Sequence, residues 1–227
     1  MKLSKEQIQL INQTLISKGV VYEDVKLELI DHIASEIERE IDDNDSNFEE
    51  VFPIFLKKWE KLLKPTNNSF WLGIVLVGPK IVVDKWVSYS KRKYFFALIY
   101  GSFFSILLTT FFYVNHQDKV VSVVNDSIRL LFFLNALFTI SGLFLILKSK
   151  IKTTFGQMFI RQSFFAFFGF FQIGLHPREN FYLYDSDNSW FWNFFGIFLI
   201  LLIFMFSFLN FKMVLEHFKT VKKYKLI

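Results

Sequence analysis

The sequence predicts an all-α protein, a small cytoplasmic three-helix domain followed by a four-helix transmembrane bundle. Three observations predict it. The chain of 227 residues is 52% hydrophobic, with a mean hydropathy of +0.33, more apolar than a soluble domain of this size. Its apolar residues follow amphipathic helical periods up to residue 64, then gather into four unbroken runs beyond residue 93. Charge divides at the same place. Residues 1–64 carry 9 basic and 14 acidic side chains, and residues 65–227 carry 17 and 7. The basic excess therefore flanks apolar runs, which points to membrane-surface contact and topology setting and away from nucleic acid.

Composition removes several chemistries. With no cysteine, disulfides, thiolate catalysis and Cys-based metal or iron–sulfur sites are excluded. The 32 phenylalanines read as the preferred apolar residue of the chain, and no cofactor is predicted. The opening Met1-Lys2-Leu3-Ser4-Lys5 leads into an amphipathic stretch, so no cleavable signal peptide is expected.

The first helix is expected over Ser4–Lys18. Ser4 and Gln7 have capping-box spacing, Gly19 is a stop, and Ile8, Ile11 and Leu15 share a face. The second is expected over Tyr22–Ile41, with a stripe of Val25, Leu29, Ile33, Ile37 and Ile41. Asp42-Asp43-Asn44-Asp45 ends it, because carboxylates are unfavourable at the negative end of the helix dipole. The third is expected from Ser46, paired with Glu49 as a capping box, through Trp59 to Leu63. Pro53 should bend it or delay its start, and Pro65 stops it.

Residues 1–65 carry a resemblance. Gly19-Val20-Val21-Tyr22-Glu23-Asp24-Val25, Glu28-Leu29-Ile30-Asp31-His32-Ile33, Phe48-Glu49-Glu50 and Lys58-Trp59 resemble the N-terminal region of Bacteroidetes (flavobacterial-type) membrane proteins. They are more distantly similar to the helical prefix domains (HAAS or permease-prefix type) that precede bacterial permeases. The resemblance implies a three-helix cytoplasmic module of signalling or regulatory kind in the bacterial inner membrane. It supplies no catalytic residues, and the membrane part matches no permease.

Residues 66–93 read as an interfacial basic linker. Phe70–Val77 is apolar but too short to span. Gly78-Pro79 breaks it, and Ile81, Val82, Val83, Trp86 and Val87 mix with Lys80, Asp84 and Lys85, as in a segment lying at the headgroup boundary. Residues 94–227 form the transmembrane domain with a short basic tail. Four spans are expected, over Tyr94–Val114, Ile128–Leu147, Phe155–Leu175 and Trp190–Phe211, each about 20 residues for ~30 Å of hydrocarbon. The segments between them alternate in charge. Residues 80–93 carry +4, 115–127 −1, 148–154 +3, 176–189 −2 and 212–227 +4. Basic segments stay inside, so both termini are expected in the cytoplasm.

Few residues suggest chemistry. Arg161 and Gln162 lie in the inner third of the third span. Arg161 is a counter-charge for an anionic substrate or lipid, or a side chain that snorkels to fix helix depth. No carboxylate lies within a span, which weakens proton-coupled transport. Asn135 with Thr139, and Gly101 with Ser105, suit helix packing. Asp31 and His32, with Glu28 and Glu36, form an acidic helix face. A metal site there would need ligands from a second helix, and the domain offers no second His–carboxylate pair. Asp185-Ser186-Asp187-Asn188-Ser189 opens like a calcium loop, but Trp190 stands in the glycine place and Gly196 in the glutamate place. The outer loop from His176 to Asn180, with Phe181, Tyr182, Tyr184, Trp190 and Trp192, reads as an aromatic belt. The four histidines, at 32, 116, 176 and 217, are too scattered for a lipid-acting enzyme. The expected role is non-enzymatic: a regulator or adaptor whose domain binds a protein partner or docks on its own basic membrane face, in contact with lipid. The alternative is a small transporter or permease subunit built by self-association.

Overall fold

The computed structural model describes residues 2–68, 70, 77–115, 117–175 and 183–225. It divides the chain into two compact units: Met1–Lys91 with Ile151–Thr154 and Lys219–Ile227, and Arg92–Lys150 with Phe155–Phe218.

In the first unit, α1 (Lys5–Ser17) begins with the expected capping box. The Gln7 amide donates to Ser4 Oγ (3.2 Å) and the Ser4 amide to Gln7 Oε1 (2.8 Å). Gly19 follows at φ +86°, a left-handed value that suits glycine. Ile11 and Leu15 are buried, but Ile8 is exposed. α2 (Glu23–Asn44) buries Val25, Leu29, Ile33, Ile37 and Ile41, the whole predicted stripe. It continues past Ile41 through Asp42-Asp43-Asn44 and ends only at Asp45, at φ 48°. α3 (Phe48–Leu63) is capped by Asn47, whose side chain accepts from the Glu50 amide (3.0 Å), one residue later than the Ser46 cap expected. Pro53 sits inside α3 on its exposed side, where the carbonyl it leaves unbonded can reach solvent. Both α1 and α3 pack on α2. Lys58 Nζ of α3 reaches Glu36 Oε2 of α2 at 2.8 Å, and that hydrogen bond holds the Glu36 carboxyl below its ordinary value.

After α3, β1 (Pro65–Asn67) pairs antiparallel with β2 (Val77–Pro79), Pro65 opposite Pro79. Most of the apolar Phe70–Val77 stretch lies outside the described residues. Gly78 and Pro79 belong to β2, and α4 (Lys80–Val114) begins at once. Residues 80–87 are the first turns of a 35-residue helix, and Val82, Val83, Trp86 and Val87 are buried inside the first unit. Tyr22 packs edge-on against Trp86, centroids 5.3 Å apart.

The second unit contains α4 from Arg92 onward and α5 (Asp118–Ser149). Next come α6 (Thr154–Gln162), α7 (Phe164–Gly169) and a π-helical turn (Phe170–Gly174). It ends with α8 (Trp190–Phe208) and the first half of α9 (Phe211–Lys225). Among the described residues three helical stretches are long and apolar enough to cross a membrane, Lys80–Val114, Asp118–Ser149 and Trp190–Tyr224. The expectation of four such helices is corrected at the third. Phe155–Leu175 is built of pieces of 9, 6 and 5 residues. The cause is local. Ser163 Oγ donates to the Ile160 carbonyl (2.6 Å), and the Ala166 and Phe167 amides both turn to the Ser163 carbonyl. The ladder thus slips past Gln162, as serine back-bonding can make it do. The π-turn follows when the Leu175 amide reaches back five residues to Phe170.

The pieces of the broken stretch still run in one direction. Phe159 packs on Gly142 and Gly169 on Phe132, so it is antiparallel to α5. Phe165 meets Phe206 and Gly169 meets Ile203, so it is antiparallel to α8 as well. Gly101 of α4 meets Phe198 and Leu202 of α8. A core of Phe112, Ile128, Phe132, Ile173, Ile197 and Leu201 closes one half of the unit.

A Cβ at Gly169 would stand 2.4 Å from Phe132 Cε1, whereas one at Gly196 would meet nothing within 4 Å. Gly169→Ala should therefore destabilise the detergent-solubilised protein by about 1–3 kcal/mol, as overpacking does. Gly196→Ala should leave the thermal midpoint unchanged or raised. Equal midpoints for the two variants would contradict this packing.

Candidate functional site

The first unit places three separate stretches of chain around Asp24. The first residue of α2 carries a backbone donor with no helical partner, and Tyr22 before it makes no side-chain cap. The Lys152 carbonyl takes that role, accepting from the Glu23 amide at 2.9 Å. The same arrangement holds in reverse. Thr154 opens α6, and its amide donates to Asp24 Oδ1 at 2.8 Å while its hydroxyl donates to Asp24 Oδ2. A carboxylate at a helix N-terminus is favoured by the exposed N–H groups and by the helix dipole. Lys85 Nζ lies 3.5 Å from Asp24 Oδ2 and 3.0 Å from Glu28 Oε2, and the Asp24 side chain is only 4% exposed. Trp86 Nε1 donates to the Thr154 carbonyl at 3.3 Å. The start of α2, the start of α4 and residues 151–154 are thus joined by hydrogen bonds and an ion pair that meet at the buried Asp24 carboxylate.

Beside this junction lies a cleft of about 300 Å³ lined by Asp24, Leu27, Glu28, Asp31, Thr220 and Lys223. It brings the acidic face of α2 to the basic end of α9. Of the residues nominated from sequence, Asp31 borders this cleft and is exposed, and His32 is exposed on α2 beside it. No group of three His, Asp or Glu side chains is placed to hold a metal among the described residues.

Arg161 and Gln162 part company. Successive helical residues point about 100° apart, and Arg161 is exposed while Gln162 turns inward. There its Oε1 accepts from Lys93 Nζ. Lys93 Nζ also donates to Asn210 Oδ1 at 3.2 Å, and Asn210 Nδ2 donates to the Gln162 carbonyl at 3.4 Å. Lys93 is 6% exposed, with its ammonium 5.0 Å from the Tyr94 ring, 6.0 Å from Phe165 and 5.9 Å from Phe206. The sequence reading missed Lys93 and Asn210. Lys93 was counted only within the net charge of residues 80–93. Its signal is the series Lys93, Ala97, Gly101, Ser105, Thr109, small or polar at every fourth position and all buried. Asn210 had a plainer one, as a carboxamide within an apolar run.

Other polar groups have packing roles. Thr139 Oγ1 donates to the Asn135 carbonyl and Ser105 Oγ to the Gly101 carbonyl, each one turn back. The loop at Asp185 is a turn. Asp185 Oδ1 accepts from the Asp187 amide, Asp185 Oδ2 from Asn188 Nδ2, and buried Asn193 fixes the Asp185 backbone through two bonds. His217 is buried against Ser149 at 3.0 Å. His116, His176 and residues 177–182 lie outside the described residues.

Comparison of the chain with protein-family models, with curated proteins and with solved structures finds no match.

Asp24→Ala strips the Thr154 amide of its acceptor and Lys85 of a partner. It should weaken the junction by about 1–3 kcal/mol, the usual cost of orphaning a buried donor. Hydrogen exchange at Thr154 would accelerate accordingly, and Asp24→Asn would give a smaller effect. Unchanged exchange in Asp24→Ala would remove Asp24 from this role.

Proposed function

We propose that the chain is an integral membrane protein of regulatory or adaptor type. Its N-terminal helical domain docks on the chain's own 151–154 loop and basic tail and answers to a cytoplasmic protein partner. The observation that carries this reading is the Asp24 junction. A buried carboxylate shared by Thr154 and Lys85 ties the acidic domain to a loop between apolar segments. Such a contact is strong enough to hold and local enough to be displaced by a competing partner. The opposite charge of residues 1–64 and of the segments beyond them favours the same docking.

The reading includes four crossings with both termini in the cytoplasm of a bacterial inner membrane. Residues 151–154 and 219–227 belong to the same compact unit as residues 1–91. The chain therefore leaves that unit and returns to it twice. The first excursion consists of α4 and α5. The second consists of the broken α6–α7 stretch and α8, antiparallel to each other. An even number of passes in each excursion, with the interrupted stretch as the fourth, is the arrangement this reading adopts. The alternation of loop charge supports the same orientation. A second reading, a small transporter or permease subunit, is favoured by one feature, the two interrupted helices meeting at Lys93.

The absence of native cysteine makes topology directly testable. Ser189→Cys should react with a membrane-impermeant maleimide in intact cells, and Lys152→Cys and Lys223→Cys should react only after permeabilisation. Labelling of Lys223→Cys from outside would break the four-crossing arrangement. For the role itself, affinity capture from native membranes would compare the full chain with Asp24→Lys. A protein partner whose recovery changes when the junction is broken supports the regulatory reading. No partner in either case, with a discrete homo-oligomer, would replace it with the transporter reading.

A further inference from the structure

Two helices of the second unit are interrupted, and both interruptions converge on one ammonium. The first lies between α6 and α7, just past Gln162. The second lies at Leu209–Asn210 between α8 and α9, where the Leu209 and Asn210 amides close on Met205 and Ser207 and α9 restarts from the Asn210 carbonyl. Lys93 Nζ bonds the side-chain oxygen contributed by each interruption. The Gln162 carbonyl, freed by the slipped ladder, is taken by Asn210 Nδ2. Lys93 has no carboxylate partner among the described residues, and its acceptors are two neutral amide oxygens and the faces of aromatic rings.

That set of groups is selective in sign and in kind. Amide oxygens and ring faces are electron-rich and attract a cation. Asn210 is held with its NH2 toward Gln162 and its oxygen toward Lys93, so an anion arriving there would meet lone pairs. Interrupted helices in membrane proteins characteristically offer freed oxygens to cations. Two oxygens and ring faces match the directional N–H bonds of an ammonium better than the close oxygen shell of a hard metal ion.

We propose that Lys93, Gln162 and Asn210, at the meeting of two interrupted helices, form a monovalent-cation site of primary-ammonium type. The chain's own lysine is its resident occupant. The tethered ammonium fastens the α6–α7 and α8–α9 interruptions to α4, and the site takes a free small alkylammonium when the lysine side chain is cut away. This goes beyond the regulatory reading and stands whether or not that reading holds.

The test uses the full chain in detergent micelles and reads the thermal midpoint. Gln162→Glu places a carboxylate against the ammonium. In the native background it should leave the midpoint unchanged or raised. In Lys93→Met, which keeps the stem and removes the charge, it should lower the midpoint by about 6–20 °C, the range for an uncompensated buried charge in a chain of this size. An equal shift in both backgrounds would overturn the proposal, because Lys93 would then act only through its stem. The second arm adds methylammonium chloride to Lys93→Ala. A midpoint that rises saturably with methylammonium and not with equal tetramethylammonium chloride supports the site. An identical response to the two salts overturns its ammonium selectivity. Lys93→Ala with Asn210→Ala should lose the methylammonium response, and its persistence would place the binding elsewhere.

Discussion

A backbone that loses its helical partner in hydrocarbon must find another inside the protein, because no water is present to supply one. The second unit depends on that constraint. Two of the breaks in helical hydrogen bonding among its described residues each have a side chain assigned to them. At the first, the Ser163 hydroxyl displaces the ladder and Asn210 recovers the carbonyl left behind at Gln162. At the second, Asn210 itself stands at the end of α8 and engages Lys93. One asparagine thus repairs a neighbour's break while marking its own. Without the Gln162–Asn210–Lys93 set, both breaks would leave polar groups in an apolar interior, at several kcal/mol each.

The first unit solves a related problem at its helix starts. Both α2 and α6 begin without a full set of local caps. They complete each other, the Lys152 carbonyl receiving the first amide of α2 and the Asp24 carboxylate receiving the first amide of α6. Because Asp24 also faces Lys85, removing it would orphan the Thr154 amide and leave Lys85 with one carboxylate fewer. A junction assembled from helix ends has few contacts but strict geometry. A partner therefore need not cover a large surface to change it.

The parts of this architecture that were legible in the sequence obey a local rule. The α2 stripe from Val25 to Ile41, the Ser4–Gln7 capping box and three of the four apolar helices follow from periodicity, spacing or length alone. Helix ends set by competition were read less well. Ser46 and Asn47 are both good caps, and Asn47 is the one whose side chain accepts from the Glu50 amide. Residues 80–87 looked interfacial because they mix Lys with Val and Trp, a pattern equally suited to a helix buried on one face. The break at Ser163 could not be read locally. Serine inside an apolar helix usually back-bonds without ending the ladder, and the carbonyl freed here is satisfied by a donor 48 residues away in sequence. Gln162 was picked out from its place in the span, but its partners Lys93 and Asn210 lie in two other helices.

The same geometry weighs on the choice between regulator and transporter. A conduit needs a polar site that a solute can reach and leave, and the spanning segments hold few polar groups to build one. The most polar cluster among them is already filled by Lys93, with amides and rings closed around its ammonium. A tethered occupant cannot dissociate, so as long as it stays in place it seals the feature that would recommend transport. The polar effort of the bundle then goes into holding its interrupted helices together. The first unit, by contrast, keeps its charges at a junction beside an open cleft that includes Glu28 and Asp31. Exchange with an outside partner is physically easier there than at a buried ammonium, and this favours a role in which the bundle anchors and the helical domain responds.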